Sequence, residues 1–355
     1  MRGVLCMDTR EQYIKQIQSI RGKVIALVYI FEGEDAPGFQ HYHIWKSDVI
    51  SLWMNAIQSL HCMPLILDVR TFVEKAINQT LPKVDYVINL NCGSCELSPM
   101  SLVPATCAFI GVPCIPCDAV TIVAGENKRL SNLIAKGIGL NVPEELPCSD
   151  AHGIFRPLNF GSSRGVMRGQ VPNDAVDGIY QEFLPGYDVT TPIVYNPLKD
   201  DFDVFPSIIY LPESKNLEWF FGAEEKEAGK GYQRGIIPSL STQLQEFYFK
   251  LVRSMGIQTF CRIDARIRCE DLSVAESLQH QPLTSENLYF IEINPMPTVK
   301  RNNSFGFCFS SIKERDAFFP CVQAFQEITG DTTIHSFLLS CAMLALKPCA
   351  KEKRI

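Results

Sequence analysis

The sequence predicts a protein that is α/β in its first part and α+β in the rest. Short apolar runs rich in β-branched residues alternate with helical patterns over residues 22–118, which is typical of a mainly parallel sheet. Farther along, a well-patterned helix over residues 240–255 leads into strands in which apolar and charged residues alternate. The 355 residues are enough for two or three domains.

The first part alternates strands with helices. Each predicted strand is a short apolar run, and each predicted helix has apolar residues spaced along one face. We predict strands over residues 22–31, 63–69, 83–91 and 107–116, with helices over residues 47–60 and 72–80. A further helix begins at "ENKRL" and ends at the glycines and proline of "KGIGLNVP".

Composition and charge exclude several functional classes. Hydrophobic residues make up 46% and charged residues 20% of the chain, as in ordinary globular proteins. The net charge of −6 argues against a nucleic-acid-binding surface. No stretch reaches the roughly 18 apolar residues of a membrane helix, and the N-terminus lacks the apolar core of a secretory signal. With 14 cysteines, these features predict a cytoplasmic protein with free thiols or a bound metal.

Two strands of the last third each carry acids on one face. In "TFCRIDARIR", Arg262 and Asp264 lie opposite the apolar face of the strand. In "YFIEINPMP", we expect Phe290, Glu292 and Asn294 to share one face. If the strands pair antiparallel, two carboxylates and an amide converge, and these are oxygen ligands suited to Mg²⁺. The alternative is a solvated hairpin with mixed charges.

Two earlier segments have features of nucleotide contacts. In "FRPLNFGSSRGV", a loop rich in glycine and serine follows a strand and offers backbone N–H groups and hydroxyls to phosphates. "QEFLPGYDV" places a turn and Asp188 after an apolar strand, an arrangement suited to adenine and ribose. Each signal alone is also compatible with a surface loop.

In this order, the motifs resemble those of the ATP-grasp superfamily, and within it the D-alanine–D-alanine ligases. The resemblance covers roughly residues 22 to 305 and is strongest at "CRIDARIR" and "YFIEINPMP". It implies a three-domain ATP-grasp fold that holds ATP between two antiparallel sheets. The expected domains are an N-terminal parallel-sheet domain over 1–118, a central subdomain over 119–196, and a C-terminal subdomain with the metal site over 197–355. It also implies that ATP phosphorylates a carboxylate and that an amine then attacks the acyl phosphate.

The resemblance implies a role for each matching residue. The metal ligands would be Asp264, Glu292 and Asn294, holding two Mg²⁺, with Mn²⁺ as an alternative. The catalytic residues would be Arg262, Ser162 and Lys230, with Tyr232 beside Lys230 as a further candidate. The ATP-binding residues would be Lys128, Arg156, Gly161, Ser162, Ser163, Glu182, Phe183, Leu184 and Asp188. Arg156 stands where the family usually has a lysine.

The substrate segments depart from the family pattern. "FEGEDAPGFQHYH" replaces the motif that binds the first amino acid's ammonium, and Glu32 or Glu34 would have to take that role. In "TVKRNNSFGF", Asn303 and Ser304 match positions that hold the acceptor's carboxylate, and Lys300 and Arg301 are additional charges. We therefore expect a ligase of specialised metabolism that couples amino acids, or an amino acid to an amine. The resemblance also implies a homodimer, because dimers are common among similar ligases. A D-alanine–D-alanine ligase proper and an ATP-binding protein without ligase activity are the alternatives.

One feature lies outside the resemblance. Cys92 and Cys95 form one C-x2-C pair, and Cys114 and Cys117 form another 18 residues later, a spacing compatible with structural zinc. Four partly buried free thiols are the alternative.

Overall fold

The N-terminal part of the computed structural model is built around a parallel sheet. The structure describes residues 7–31, 47–92, 99–147, 152–161, 163–169, 171, 177–269, 277–278, 280–316 and 318–346. The first elements are α1 (Met7–Ser19), β1 (Val24–Tyr29), α2 (Ser47–Ser59), β2 (Met63–Asp68), α3 (Val69–Ile77), β3 (Tyr86–Asn89), α4 (Leu102–Ile110), β4 (Cys114–Ile115), α5 (Ala119–Glu126) and α6 (Lys128–Gly137). The strands pair parallel in the order β2-β1-β3-β4.

Apolar residues on both faces make β1 a central, buried strand. Ile25 and Leu27 pack into one hydrophobic cluster with α1 and α2, and Ala26 and Val28 pack into another with α3 and α4. A strand covered on both sides reads as a continuous apolar run, so the prediction of a buried parallel strand is confirmed.

The predicted fourth strand is mostly wrong. Residues 107–110 belong to the end of α4, which Gly111 closes in the left-handed conformation. Only Cys114 and Ile115 pair with β3. Periodicity cannot distinguish a buried helix from a strand in an apolar run of this length. The glycine ends the helix and does not interrupt a strand.

Two antiparallel sheets and five helices form the rest of the described residues. The elements are β5 (Gly153–Pro157), β6 (Met167–Arg168), β7 (Gly178–Glu182), β8 (Gly186–Asn196), β9 (Asp201–Val204), β10 (Ser207–Pro212), α7 (Ala223–Ala228), β11 (Tyr232–Ile237), α8 (Thr242–Ser254), β12 (Phe260–Arg268), β13 (Leu288–Asn294), α9 (Ser304–Ser310), α10 (Phe319–Thr329) and α11 (Ile334–Ala345). The smaller sheet has the order β6-β5-β7. The larger has the order β11-β10-β8-β12-β13, with β9 paired to β8.

The larger sheet buries one face against α8. Leu244, Tyr248, Leu251 and Val252 of this helix are buried in a cluster that also contains Ile263 of β12. The predicted apolar stripe of the helix is therefore confirmed as core. The opposite face carries charged residues of β12 and β13, so the sheet presents them to a cleft. No helix within the described ranges is long and apolar enough to cross a membrane.

Candidate active site

A cleft of about 680 Å³ is lined by residues of both antiparallel sheets. Arg156 of β5 and Glu182 of β7 line it from the smaller sheet, and Asp264 and Glu292 from the larger one. Within the described ranges, every residue predicted to act in catalysis or to bind ATP, Mg²⁺ or substrate lines the cleft, except Lys230 and Arg301. Ser162, for which both a catalytic and an ATP-binding role are predicted, lies outside the described residues, as do Glu32 and Glu34. Residues predicted from separate segments of the sequence therefore line one contiguous pocket.

The two acidic strands pair antiparallel, and their polar side chains meet. Asp264 lies opposite Glu292, and Arg262 lies opposite Asn294. The Asn294 amide donates to Asp264 Oδ2 at 2.8 Å and to Glu292 Oε1 at 3.3 Å. Thr190 donates from its hydroxyl to Asp264 Oδ1 at 2.7 Å. Two carboxylates and an amide thus form one hydrogen-bonded group at the floor of the cleft.

A β-bulge between the two strands makes one part of the face prediction wrong. The register shifts after Asp264, because Asp264 pairs with Glu292 whereas Ala265 pairs with Phe290. Ile291 is the extra residue, so strict alternation fails there. Phe290 consequently packs in the core with Ile293, while Glu292 and Asn294 remain on the cleft side.

Arg262 is fixed by the carboxylate two residues along its own strand. Its Nε lies 3.0 Å from Asp264 Oδ1, and its Nη2 lies 2.6 Å from Asp264 Oδ2. Burial raises the pKa of Asp264, and Arg262 opposes that shift. The side chains of both residues keep about a fifth of their surface exposed, so the pair faces the cleft.

Glu292 lies between two basic side chains from other elements. Lys128 Nζ is 3.8 Å and Arg156 Nη2 is 3.3 Å from Glu292 Oε2. Burial alone would raise the pKa of Glu292, but Lys128 and Arg156 outweigh it and lower that pKa to about 2. Glu292 is therefore ionised at neutral pH and is suited to bind a cation.

Lys128 and Arg156 are held at the cleft by neutral partners as well. Lys128 begins α6, whose N-cap Asn127 accepts from the N–H of Leu130. Its ammonium donates to the Phe160 carbonyl at 2.6 Å, and burial lowers its pKa to about 8. Arg156 donates to Gln181 Oε1 at 3.3 Å. Both side chains are more than nine-tenths buried, so their charges face the cleft from rigid positions.

The oxygen donors fit a hard divalent cation. Asp264, Glu292 and the Asn294 amide oxygen supply the ligand types that Mg²⁺ prefers, and nearby Lys128 and Arg156 already neutralise part of their charge. This donor set contains no sulfur or imidazole, which disfavours zinc at this position. Mg²⁺ or Mn²⁺ is therefore the compatible class of ion.

Comparison with known proteins identifies the fold. No family model and no curated protein sequence matches this chain. Solved structures that resemble it include D-alanine–D-alanine ligase from Bacillus anthracis in complex with ATP, at 11% identity and TM-score 0.57, covering 91% of this chain and 97% of that one. VanG D-Ala:D-Ser ligase from Enterococcus faecalis has 14% identity and TM-score 0.56, covering 92% and 100%. D-alanyl-alanine synthetase A from Vibrio cholerae has 12% identity and TM-score 0.58, covering 91% and 98%.

The chain has the ATP-grasp fold. The similarity extends over nearly the whole length of this chain and of each of these ligases. The predicted parallel-sheet part and the pair of antiparallel sheets are confirmed with it.

In this ATP-grasp cleft, the predicted adenine and ribose residues are held by protein partners. Glu182 accepts from the N–H of Glu144 at 3.1 Å. Asp188 lies 2.9 Å from Arg266 Nη1 and accepts from the N–H of Phe221 at 2.7 Å. These carboxylates shape the wall of the cleft.

The apolar part of the same wall is also ordered by arginines. The Phe183 ring lies 3.8 Å from the Arg168 guanidinium and 5.1 Å from that of Arg266. The Leu184 carbonyl accepts from Arg266 Nε at 2.5 Å. Phe183 and Leu184 thus line the cleft in fixed positions.

The structure places Lys226, rather than the predicted Lys230, in the cleft. Lys226 Nζ donates to Ser163 Oγ at 2.6 Å and lies 5.1 Å from the centre of the Phe221 ring. Burial lowers the pKa of Lys226, although the residue is exposed to solvent at the mouth of the cleft. Lys230 follows α7 and is exposed. The short helix α7 that carries Lys226 begins at Ala223, and the N–H of its N-cap Gly222 donates to Glu225 Oε2 at 3.1 Å. A glutamate three residues after a helix start is a sequence signal that could have located this helix.

The predicted substrate segment forms the other end of the cleft. Lys300 Nζ lies 3.7 Å from Asp48 Oδ2. Asn303 caps α9, with its side chain accepting from Gly306 N–H and donating to the Thr298 carbonyl. Ser304 is buried and lines the cleft, whereas Arg301 is exposed and does not.

The described cysteines give no support to a zinc site. Cys95 lies outside the described residues. Cys117 Sγ donates to the Pro295 carbonyl at 3.7 Å, and Cys114 is hydrogen-bonded to Cys107. Burial raises the pKa of Cys114 and of Cys117, which disfavours the thiolates that zinc requires. Within the described part of the chain, no group of three or more histidine, cysteine or acidic residues is arranged to hold a metal ion.

Proposed function

We propose that this protein is an ATP-dependent carboxylate–amine ligase that forms an amide bond through an acyl phosphate. The observation that carries the proposal is the meeting of Asp264, Glu292 and Asn294 with Arg262 and the buried cations in one cleft. A protein that only bound ATP would have little need for a complete set of metal ligands beside so many fixed positive charges.

The basic side chains match the demands of phosphoryl transfer. Lys128, Arg156 and Lys226 would surround the ATP phosphates and neutralise their charge. Mg²⁺, held by Asp264, Glu292 and Asn294, would supply further charge neutralisation to the phosphates when bound.

Two chemical steps follow from this arrangement. A carboxylate oxygen of the first substrate attacks the γ-phosphorus, and the bond to the β-phosphate oxygen breaks to give ADP. The amine of the second substrate then attacks the acyl carbon, loses a proton, and expels inorganic phosphate. Arg262 would stabilise the oxyanion of the tetrahedral intermediate, because Asp264 fixes its guanidinium toward the cleft. The loop at Gly161 and Ser163 would cover the phosphates and keep water from the acyl phosphate.

The substrates would be amino acids, or an amino acid and an amine, in specialised metabolism. This part of the proposal rests on the substrate segments, where Lys300 and Asn303 line the cleft in a sequence that departs from the cell-wall ligases. The division into domains 1–118, 119–196 and 197–355 and a homodimeric assembly belong to the same proposal. A solution mass near twice 39.9 kDa is the expected result for the dimer.

Phosphate release tests the proposed function. The protein would be incubated with ATP, Mg²⁺ and a panel of single and paired amino acids, with Asp264→Ala and Glu292→Ala as controls. We expect release that requires particular pairs and is lost in both variants. Tight ATP binding without release from any pair would instead favour an ATP-binding protein without ligase activity. Release with D-alanine alone as both substrates would identify the D-alanine–D-alanine reaction.

A further inference from the structure

Arg234 presents a fixed guanidinium group to the substrate end of the cleft. It lies on β11 opposite Tyr210 of β10 and lines the cleft. Its Nη1 donates to the Asn302 carbonyl at 2.8 Å, and its Nη2 donates to the Tyr232 hydroxyl at 3.1 Å. The guanidinium carbon lies 5.6 Å from the Tyr232 ring centre and 5.7 Å from that of Phe307. Two neutral hydrogen bonds and two aromatic rings therefore hold it in one orientation.

The charge of Arg234 lacks a counter-charge among the residues that the structure describes. Of the other described cleft arginines, Arg156, Arg262 and Arg266 each contact a carboxylate, and Arg164 is exposed to solvent. Arg234 makes no such contact with any residue in the described ranges, and its buried Nε has no hydrogen-bond partner. A partly buried cation without a counter-charge costs free energy, which an anionic ligand would recover.

The sheet register places Arg234 beside the reacting groups but not among them. Three strand spacings, roughly 14 Å between backbones, separate β11 from β12, which carries Arg262 and Asp264. Arg234 and Arg262 both line the same cleft. An amino acid bound between them would react at one end and meet Arg234 at the other.

We propose that Arg234 binds an anionic side-chain group of the amine substrate, which would make that substrate an amino acid with an acidic side chain. The α-carboxylate of this substrate is assigned to Asn303 and Ser304, which line the same end of the cleft. The inference rests on the proposed ligase function and specifies its second substrate. A guanidinium recognises a carboxylate through two N–H donors. Nη1 and Nη2 each carry a second N–H beyond those that donate to the Asn302 carbonyl and the Tyr232 hydroxyl.

Matched substrate pairs test the proposal. With the carboxylate substrate fixed, glutamate is compared with glutamine and aspartate with asparagine as the amine substrate, in both enantiomers. We expect the acid to have a kcat/KM at least tenfold above that of its amide. In Arg234→Gln, the ratio of acid to amide should fall on the order of 10- to 100-fold, as expected for the loss of a charge-assisted pair of hydrogen bonds. Arg234→Lys should retain part of the preference, because it keeps the charge.

The control is Arg253→Gln. Arg253 is an arginine on α8 that contacts Asp201 and does not line the cleft, so this variant should leave the ratio unchanged. If Arg234 only supported the Asn302 segment, its replacement would weaken acid and amide equally, and an unchanged ratio would overturn the proposal. Equal use of acid and amide by the wild-type protein would overturn it as well.

A binding measurement separates this proposal from the ligase proposal. If no amine supports phosphate release, the ligase proposal fails, and calorimetric titration of glutamate and glutamine in the presence of ADP decides on Arg234. Preferential binding of glutamate that Arg234→Gln abolishes would support the anion site. Equal binding, or no binding of either, would refute it.

Discussion

Replacing Glu292 with glutamine removes the carboxylate that Lys128 and Arg156 share. The basic neighbours lower the Glu292 pKa from its ordinary value of 4.5 to about 2. Each tenfold change in proton affinity is worth ~1.4 kcal/mol, so the ionised carboxylate contributes about 3 kcal/mol to folding at neutral pH. Because the folded pKa is the lower one, this contribution is present above pH 4.5 and is lost as the pH falls toward 2.

The assay is urea unfolding of wild type and Glu292→Gln with a chelator present, at several pH values between 7 and 3. The variant should be less stable by about 3 kcal/mol at pH 7, and the difference should shrink to about 1 kcal/mol at pH 3. Glu246→Gln, at an exposed position of α8, is the matched control and should show a difference near zero throughout. A destabilisation of Glu292→Gln that stays constant across this pH range would refute the electrostatic reasoning.

Three further predictions follow from the same cleft and its supports. Burial lowers the pKa of Lys128 to about 8, so the KM for ATP should rise above pH 8 as the ammonium loses its charge. Lys128→Arg should remove that rise in a pH–rate profile, because arginine stays charged. Lys226→Ala should lower kcat/KM for ATP by about 10- to 100-fold, and Lys230→Ala by less than twofold. Equal effects of the two variants in steady-state kinetics would contradict the placement of Lys226, rather than Lys230, in the cleft. Gly186→Ala should abolish folding, as judged by circular dichroism. Gly186 has φ of +141°, and an added Cβ would lie 1.8 Å from the Ile267 carbonyl oxygen. Gly137→Ala is the control and should fold, because a Cβ added there meets no atom within 4 Å.

Local pattern was enough to predict the faces that build the cleft floor, but it left the pairing of the strands as a condition. Alternation in β12 placed Arg262 and Asp264 on one face, and the structure supplies the antiparallel pairing that brings them to Glu292 and Asn294. The bulge at Ile291 could not be predicted in this way, because it depends on the register between strands that are far apart in sequence. It explains why Phe290 is core and Glu292 is not.

The choice of functional side chain in a loop was harder to predict than the strands. Lys226 and Lys230 lie four residues apart in an acidic segment, and only the position of α7 beside Ser163 brings one of them to the cleft. Arg234 carried no sequence signal at all. Its lack of a counter-charge is a property of its neighbours in space, which composition and spacing do not reveal.

The fate of an oxygen atom tests the central claim most directly. If the carboxylate substrate is labelled with ¹⁸O, an acyl phosphate transfers one labelled oxygen to the released phosphate when the amine attacks the carbonyl carbon. Mass spectrometry of the phosphate should therefore show one ¹⁸O atom per amide formed, and none in reactions with Asp264→Ala. Unlabelled phosphate released in step with amide formation would contradict the acyl-phosphate mechanism.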